Sequence, residues 1–408
     1  MDKLLAAAKQ TPILPTPLQN RPRRQYRVKL PLSLLSAIFV VIGFQFLILP
    51  RYIYQTSPRI VALSRFHLER LDAGLQKCAE YNKPPIHYPV PAATRTNPRW
   101  NGKTGQNGTI ILRNATLFDG EAILKRPFDI EFTDGVIKSV SPAGTSAGTT
   151  LGAKIWDLEG KYVTPGLVDL HSHHLVWSWP SLEATDDTNE ISDDFGALTP
   201  FVRAIDSIKA YDEATTIIAS GGVTTSLILP GSANIMGGEG FLVKNLLRSG
   251  PNGEEVVEEL LLEHGVPTED RRRYMKMACG ENPRRVYKHT RMGNAWIFRK
   301  HMERAKELRE KQDAWCVSAA AIREHGDAAA VAAFMKETTK DTDATDLLEL
   351  DSTIGMLRGK IGVNVHCYET EDFEDMLTHS KEFGFRIQAF HHALSAWRVP
   401  ELIKDSGE

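Results

Sequence analysis

One segment of the chain is apolar without interruption, whereas the remainder alternates between apolar and polar positions. From Leu32 to Leu49 no residue is charged, and Gln45 is the only strongly polar one. A buried core helix would show a polar stripe, and the apolar part of a cleaved signal is usually shorter. Because about 20 apolar residues cross the hydrocarbon core as a helix, the pattern predicts a transmembrane helix at 31–50.

The residues around this segment predict its orientation. The tail at 1–30 is rich in Pro and carries five clustered basic residues: Arg21, Arg23, Arg24, Arg27 and Lys29. Basic residues before a span favour a cytosolic N-terminus, although the arginines that follow the span weaken the asymmetry. Sequons at Asn107 and Asn114 fit a lumenal face. We therefore expect a single-pass membrane protein whose remainder is lumenal or extracellular.

Two further regions precede the main pattern. Residues 51–105 are rich in Pro, Arg and Asn and have helical spacing near 60–81, so they predict a linker or stalk. Short β-type runs then occur at 109–113, 128–132 and 136–140, with Asp-Gly turn signals between them. These runs predict a small β-sandwich segment at 106–162.

From residue 163 onward, the chain alternates strand patterns with helix patterns. Strands are predicted at 163–170, 223–229, 241–244, 274–279, 361–366 and 385–390. Helices are predicted at 210–220, 294–310, 319–337, 344–358, 370–383 and from about 393. Such alternation is typical of α/β proteins with a parallel sheet, here of about six strands over 163–408.

Composition and charge exclude several classes of protein. The chain has 408 residues, of which 42% are hydrophobic and 25% charged, as in an ordinary globular protein. The formal net charge of −2 gives no basic field, so we expect no nucleic-acid partner. Four widely spaced cysteines suggest neither a zinc knuckle nor a disulfide scaffold, and we expect Cys367 to pack in the core.

The strongest chemical signal is a His-x-His pair at the end of the first barrel-type strand. Alternate residues of a strand share a face, so Asp169, His171 and His173 should point the same way. Two imidazoles at this spacing can bind one divalent ion, and Asp169 could orient the strand end. A chain with thirteen histidines can contain a His-x-His pair by chance. The apolar strand that directly precedes this pair supports a functional interpretation.

Other histidines also follow predicted strands. His366 ends one strand, and His391 and His392 end the next. The carboxyl ends of parallel barrel strands meet at one rim, where active sites lie. A lone histidine at a strand end is usually a surface or hydrogen-bonded residue, but this interpretation weakens when three strands end in this way. We therefore predict a histidine cluster.

A second metal would require a bridging ligand, for which the strand at 274–279 offers two candidates. Glu281 lies in a turn just after this strand, and Lys276, if modified, lies within it. The alternative for Glu281 is a solvated turn carboxylate. The Gly-rich segment 231–240 fits no phosphate-binding pattern, and we interpret it as a rim loop close to the substrate.

Several segments together resemble the amidohydrolase superfamily. The segment Pro165–His173 resembles its metal-binding signature, and Thr109–Gly120 resembles the start of its β-sandwich. Val223–Asn234, Gly280–Tyr287 and Thr290–Asn294 are similar to the imidazolonepropionase-like branch. The resemblance covers about 109–408 and implies a metal-dependent hydrolase on a (β/α)8 TIM-like barrel.

The resemblance also implies roles for individual residues. His171 and His173 match the first-strand metal ligands, His366 matches the fifth-strand ligand, and His392, with His391 as the alternative, matches the sixth-strand ligand. Glu281, or a carboxylated Lys276, would be the fourth-strand or bridging ligand. Histidine and carboxylate ligands suit Zn, Fe, Mn or Ni, and we expect one or two divalent ions, with Zn the first choice.

One feature of the family pattern is not matched. The resemblance implies an eighth-strand aspartate that moves the proton, whereas this chain ends at Glu408, soon after the predicted sixth strand. We therefore expect a partial barrel, a truncated product and an unknown proton-transfer residue. The predicted activity is hydrolysis of non-peptide carbon–nitrogen bonds in a small-molecule substrate. The alternatives are an inactive membrane-tethered remnant and a lactonase or phosphotriesterase on the same scaffold.

Overall fold

The computed structural model describes residues 40–48, 63–83, 108–145, 152–249, 255–257, 271–338 and 344–407. The chain divides into two units, 1–61 and 62–408. In the first unit, residues 40–48 are helical and include a π-helical turn at Phe44–Ile48. None of the helices within the described ranges is long and apolar enough to cross a bilayer. Most of the predicted span at 31–50 lies outside those ranges.

The second unit begins with a helix and a small sheet. Helix α1 is Arg65–Tyr81, and the strands are β1 Thr109–Leu117, β2 Phe128–Thr133, β3 Val136–Pro142, β4 Lys154–Asp157 and β5 Tyr162–Val163. The sheet has the order β3-β2-β1-β4, and β5 also pairs with β1. The three predicted β-runs are therefore confirmed. Asp134 and Gly135 both have positive φ, as the tight turn between β2 and β3 requires.

A second sheet contains six strands in the order β13-β12-β11-β8-β7-β6. These strands are β6 Leu167–Ser172, β7 Val223–Ile228, β8 Met236–Lys244, β11 Arg273–Ala278, β12 Ile361–Cys367 and β13 Ile387–His392. A separate two-stranded pair is formed by β9 Leu247–Ser249 and β10 Glu255–Val257. The six-stranded sheet curves until its edge strands meet: Nδ1 of His171 on β6 lies 2.9 Å from Nδ1 of His391 on β13. The result is a nearly closed, barrel-like sheet in a mixed α/β fold, which confirms the α/β class predicted from the alternation of elements.

Helices connect and cover these strands. They are α2 Ala214–Ser220, α3 Glu281–Tyr287, α4 Arg291–His325, α5 Ala328–Thr338, α6 Ala344–Leu357, α7 Thr370–Phe383 and α8 Pro400–Asp405. Side chains of α4, α6 and α7 pack on one face of β11 and β12, burying Met275, Met277, Val363 and Val365. The alternate residues of these two strands, among them Lys276 and His366, consequently face the inside of the curved sheet.

The predicted all-parallel sheet is wrong at one strand. Strand β8 is antiparallel to both of its neighbours, β7 and β11. Only seven residues connect β7 to β8, which is too short for a helical crossover, so the chain returns in the opposite direction. Part of the predicted rim loop is also wrong, because Met236–Gly240 belongs to β8.

Two boundaries differ from the predicted ones. The predicted strand at 163–170 is divided between the two sheets, since Tyr162–Val163 pairs with β1 whereas Leu167–Ser172 pairs with β7. Pro165 lacks an N–H, and Gly166 packs so tightly on Thr224 that a side chain would clash. The helices predicted at 294–310 and 319–337 are instead one long helix, α4, followed by α5.

The expectation of no disulfide scaffold is wrong. Cys78 on α1 is bonded to Cys316 on α4, with the two Cα atoms 5.7 Å apart. Cys279 and Cys367, at the carboxyl ends of β11 and β12, form a second disulfide with Cα atoms 5.4 Å apart. Spacings of 238 and 88 residues give no local sequence signal, because only the packed fold brings each pair together.

Candidate metal-binding active site

The His-x-His pair lies at the carboxyl end of β6 with both rings on one face. Nε2 of His171 lies 3.1 Å from Nε2 of His173. Asp169 accepts a hydrogen bond from the backbone N–H of His171 at 2.9 Å, so it fixes the strand end. Nδ1 of His173 lies 2.8 Å from the carbonyl oxygen of Leu229, which defines the orientation of this ring.

The opposite face of β6 is held by buried polar groups. Ser172 Oγ lies 2.6 Å from Nδ1 of His174, whose Nε2 lies 3.1 Å from Oδ1 of Asn245. Asn245 also donates hydrogen bonds to Ser226 Oγ at 2.8 Å and to the carbonyl oxygen of Val223 at 3.0 Å. This network ties the histidine-bearing end of β6 to the residues of β7.

The structure brings His366, His391 and His392 to the same place. The rings of His366 and His392 have centroids 4.4 Å apart, and those of His171 and His392 are 4.6 Å apart. His391 contacts His171 through their Nδ1 atoms. Five histidines from β6, β12 and β13 and the residue that follows β6 therefore form one cluster, which we call the histidine cluster: His171, His173, His366, His391 and His392.

The two histidines at the end of β13 differ in their surroundings. His391 is buried, and its Nε2 lies 2.9 Å from Oδ1 of Asn364. His392 is exposed and has a positive φ of 62°, where β13 ends. Its ring faces His171, His366 and Tyr368. The sequence left both histidines open as ligands.

Lys276 is the charged residue at the cluster. Its side chain is fully buried on β11, and Nζ donates a hydrogen bond to the carbonyl oxygen of Pro230 at 3.0 Å. Burial lowers the pKa of Lys276 to about 7. The lysine charge in turn lowers the pKa of every histidine in the cluster, and the lysine side chain is on the same inner face of the curved sheet as His366.

Glu281 is placed differently from Lys276. It begins helix α3, where its carboxylate accepts a hydrogen bond from Arg291 at 2.8 Å. The same guanidinium donates to buried Asp372 at 2.7 and 3.0 Å. Arg291 thus engages Glu281, whereas Lys276, the other candidate bridging residue, is on the inner face of β11 and lowers the pKa values of the cluster histidines.

The histidines are held in their neutral form at neutral pH. Burial, followed by the charge of Lys276, lowers the pKa of His171 to about 2 and those of His173 and His391 to about 4. Burial, followed by the charge of His392, lowers the pKa of His366 to about 3. Neutral imidazole is the form that binds metal ions. Each neutral ring of the cluster therefore keeps one unprotonated nitrogen.

The donor set fits a divalent ion, although it does not form a finished metal site. Over the described ranges, no group of three or more His, Cys, Asp or Glu side chains has the arrangement needed to hold a metal. However, ligands that share one ion at 2.0–2.1 Å lie about 3 Å apart, as the Nε2 atoms of His171 and His173 do. Among the described residues, Nδ1 of buried His366 has no hydrogen-bond partner. Because Nε2 of this ring accepts a hydrogen bond from the Asn282 amide, Nδ1 carries the proton, and its burial without an acceptor is costly.

Several residues at the site had no place in the sequence prediction. Asn364 contacts His391, and Asn282 Nδ2 lies 3.1 Å from Nε2 of His366 while donating to Ser232 Oγ at 2.8 Å. A signal for Asn364 was present, because it precedes His366 by two residues and shares its strand face. No local pattern marks Asn282, which reaches the site from the first turn of α3.

Comparison with known proteins gives two similarities. No protein-family model matches the chain. The amidohydrolase tasK of Hapsidospora irregularis is 36% identical in an alignment of 356 residues that covers 82% of this chain and 34% of that protein. The chain thus spans about a third of the length of this curated relative.

The second similarity is to a solved structure. The crystal structure of an amidohydrolase from Thermotoga maritima MSB8 matches with a TM-score of 0.56 and 28% identity. The match covers 72% of this chain and 67% of the Thermotoga chain. Histidines converge at the strand ends of a barrel-like sheet that is similar to amidohydrolases in both sequence and structure. Together these findings show that the chain is similar to amidohydrolases in sequence and in fold.

Proposed function

We propose that the chain is a metal-dependent hydrolase of carbon–nitrogen bonds other than peptide bonds, acting on an amide or cyclic amide of a small molecule. The observation that carries this proposal is the meeting of neutral histidines from three strand ends at one edge of the curved sheet. The similarity to amidohydrolases supports the reaction class. The imidazolonepropionase-like subtype and the (β/α)8 barrel belong to the same proposal.

The residues proposed to hold the ion are His171, His173, His366 and His392. When bound there, a divalent ion, for which we propose Zn, lowers the pKa of water and polarises a carbonyl oxygen. Hydrogen bonds orient the first of these residues: Asp169 fixes the backbone of His171, and the Leu229 carbonyl oxygen fixes the ring of His173. Such fixed rings keep their nitrogens directed at one point without further reorganisation.

Lys276 is the proposed bridging residue if two ions bind. It faces the cluster from β11, whereas Glu281 is ion-paired with Arg291. A lysine amine can serve as an oxygen ligand only after carboxylation, and a buried amine with a lowered pKa favours the neutral form that this modification needs. Substitution of Lys276 should therefore impair activity more than substitution of Glu281.

The proposal is tested on the full 408-residue chain. Elemental analysis measures metal per chain in the wild type, in a His171→Ala/His366→Ala variant and in a His325→Ala control, which removes an exposed histidine outside the cluster. A panel of amides, cyclic amides, lactones and phosphotriesters then measures turnover. We expect near-stoichiometric metal and turnover of a carbon–nitrogen substrate, both lost in the double variant and kept in the control.

Three results would contradict parts of this proposal. Metal-free wild-type chain would contradict metal dependence, and the inactive remnant would then be the better interpretation. Turnover confined to lactones or phosphotriesters would contradict the proposed carbon–nitrogen specificity but not the proposed active site. Equal turnover in the wild type and the double variant would remove the histidine cluster from the reaction.

We also propose a lumenal or extracellular location, with 31–50 as the membrane anchor. Two disulfides in the described residues support it, because disulfides persist mainly in oxidising compartments. The sequon at Asn114 does not add support, since its amide donates two hydrogen bonds to Asp157 at 3.0 and 2.9 Å. Asn107 lies outside the described residues. Protease protection in sealed microsomes, with thiol alkylation before and after reduction, tests both the topology and the disulfides.

A further inference from the structure

A buried asparagine adjoins the histidine cluster with a fixed amide orientation. Asn364 is only 3% exposed, and its Nδ2 donates a hydrogen bond to the carbonyl oxygen of Gly362 at 3.2 Å. Its Oδ1 lies 2.9 Å from Nε2 of His391. A carbonyl oxygen accepts hydrogen bonds and cannot donate them. Nε2 of His391 must therefore carry the proton.

This assignment determines the protonation of the next ring. A neutral imidazole carries one N–H, so His391 with a protonated Nε2 has a bare Nδ1. That Nδ1 lies 2.9 Å from Nδ1 of His171, which must then be the donor. Neutral His171 consequently has a bare Nε2, the atom that faces His173.

A separate hydrogen bond shows that Nε2 of His173, the atom opposite Nε2 of His171, is also unprotonated. Nδ1 of His173 lies 2.8 Å from the carbonyl oxygen of Leu229 and therefore donates its proton there. Nε2 of His173 is then bare as well. Two bare nitrogens 3.1 Å apart repel each other unless a cation lies between them. The hydrogen bonds thus create an electron-rich pair of atoms.

We propose that Asn364 and His391 are positioning residues, forming a hydrogen-bond relay that fixes His171 as the Nδ1–H tautomer with Nε2 directed at His173. The proposal deepens the proposed function and rests on it for the role of the ion. It assigns His391 to the support of a ligand and leaves His392, whose ring faces His171 and His366, as the ligand from the end of β13.

A bulge in β13 turns His391 toward Asn364 and so allows the relay to form. Val363 pairs with Ile387 whereas Asn364 pairs with Ala389, so Gln388 is an extra residue. The extra residue inverts the alternation of β13. Phe390 therefore packs against the helix-covered core, while His391 turns to the inside, next to Asn364.

The tautomers can be measured without metal or activity. In the full chain labelled with 15N-histidine, two-bond 1H–15N correlations distinguish Nδ1–H from Nε2–H rings, and His171→Gln and His391→Gln spectra assign the signals. We expect His171 as Nδ1–H and His391 as Nε2–H in the wild type. In Asn364→Ala, this preference should be lost for both rings. Wild-type His171 in the Nε2–H form would overturn the proposal.

Metal affinity gives a second measurement, by chelator competition with Co²⁺. Loss of an outer hydrogen-bond partner typically weakens metal binding about 10–100-fold, which we expect for Asn364→Ala and for His391→Ala. The double variant should be no weaker than the weaker single variant, because both remove one relay. Asn364→Asp keeps the acceptor toward His391 but loses the donor to the Gly362 carbonyl oxygen, so it should weaken metal binding less than Asn364→Ala does. The matched control is Asn294→Ala, which should have no effect, because Asn294 is a buried asparagine whose amide has no hydrogen-bond partner within the described ranges.

The Co²⁺ absorption spectrum separates support from direct ligation. At saturating Co²⁺, we expect the visible bands of His391→Ala to match the wild type and those of His392→Ala to differ. Altered bands in His391→Ala, with unchanged affinity in Asn364→Ala, would make His391 a ligand and overturn the relay. Wild-type chain that binds no Co²⁺ but shows the expected tautomers would contradict the proposed function and leave the relay intact.

Discussion

The two ends of the strands in the curved sheet contain different kinds of buried polar groups. Toward the amino ends, Arg273 of β11 is ion-paired with buried Glu239 and with Asp351, and it donates to Ser352 at 3.1 Å. Toward the carboxyl ends, the buried amine of Lys276 is on the same side of the sheet as the histidine cluster and donates to the carbonyl oxygen of Pro230. Within the described part of the chain, this amine has no carboxylate partner. One end contains paired charges, whereas the other contains neutral donors.

This difference indicates which end is complete without a ligand. A buried charge is tolerated when it is paired and hydrogen-bonded, and the group around Arg273 meets both conditions. At the carboxyl ends, the Nε2 atoms of His171 and His173 face each other at 3.1 Å, and Nδ1 of His366 has no hydrogen-bond partner among the described residues. Substitution should therefore affect stability at the amino ends and ligand binding at the carboxyl ends.

The largest expected effect is on turnover. His171→Ala/His366→Ala should lower kcat/KM by about 10³-fold or more, equivalent to about 4 kcal/mol of transition-state stabilisation. The free energy of unfolding of the metal-free chain should fall less than it does when the buried Arg273–Glu239 pair is broken, because the facing Nε2 atoms of His171 and His173 repel each other without an ion. Steady-state kinetics and urea unfolding measure the two quantities. A large loss of stability without loss of turnover would contradict the distinction between the two ends.

The converse variant removes the charge at the amino ends. Arg273→Leu leaves Glu239 buried without its partner and should lower the free energy of unfolding by about 3 kcal/mol or more. Metal content should be unchanged. Arg203→Leu, which breaks an exposed pair with Asp206, is the control and should cost less than about 1 kcal/mol. Equal losses of unfolding free energy in the two variants would show that the buried pair stabilises the chain no more than the exposed pair does.

The two disulfides allow the same distinction with matched chemistry. Each cysteine pair, replaced by alanine, should lower the free energy of unfolding by about 2–4 kcal/mol through the loss of a long closed loop. Only Cys279→Ala/Cys367→Ala should also weaken metal binding, because Cys367 directly follows His366. Unfolding in urea and chelator competition measure both effects. Weakened metal binding in Cys78→Ala/Cys316→Ala would contradict the prediction that only the disulfide next to His366 affects the metal site.

The smallest effect concerns a buried histidine outside the cluster. Burial lowers the pKa of His301 to about 4, and its Nε2 lies 2.8 Å from Thr353 Oγ1. The unfolded chain binds a proton near pH 6.5 and the native chain does not, so stability is present above 6.5 and is lost as pH falls toward 4. Between pH 7 and pH 5, this histidine should account for about 2 kcal/mol of that loss. His301→Gln should make the urea midpoint less dependent on pH, whereas an unchanged slope would contradict burial of the neutral ring.

Much of the fold was predictable from local pattern. The period-two runs near Thr109, Phe128 and Val136 became β1–β3, because each run and its turn residues specify a hairpin within a few positions. All six predicted barrel-type strands correspond to strands of the second sheet. The direction of β8 was not predictable, since a Gly-rich segment that pairs on both sides resembles a loop in sequence.

The candidate site was predictable to a smaller extent. The sequence identified the strand ends that carry His171, His366 and His391, and the fold brings these ends together. It could not choose between Lys276 and Glu281, because the choice depends on Arg291, which lies on another helix. It could not assign His391 and His392, because a one-residue bulge at Gln388 reverses which face each residue of β13 occupies.

By itself, the sequence determined where strands begin and end and which chemical groups lie at their ends. These properties depend on residues within a few positions of one another, through alternation, turn chemistry and apolar runs. Tertiary structure decided the pairing of Cys279 with Cys367, the ion pair that engages Glu281, and the hydrogen bond from His391 to Asn364. Each of these contacts joins separate elements of the fold. It stabilises the chain only after the sheet has closed and excluded water from the contact.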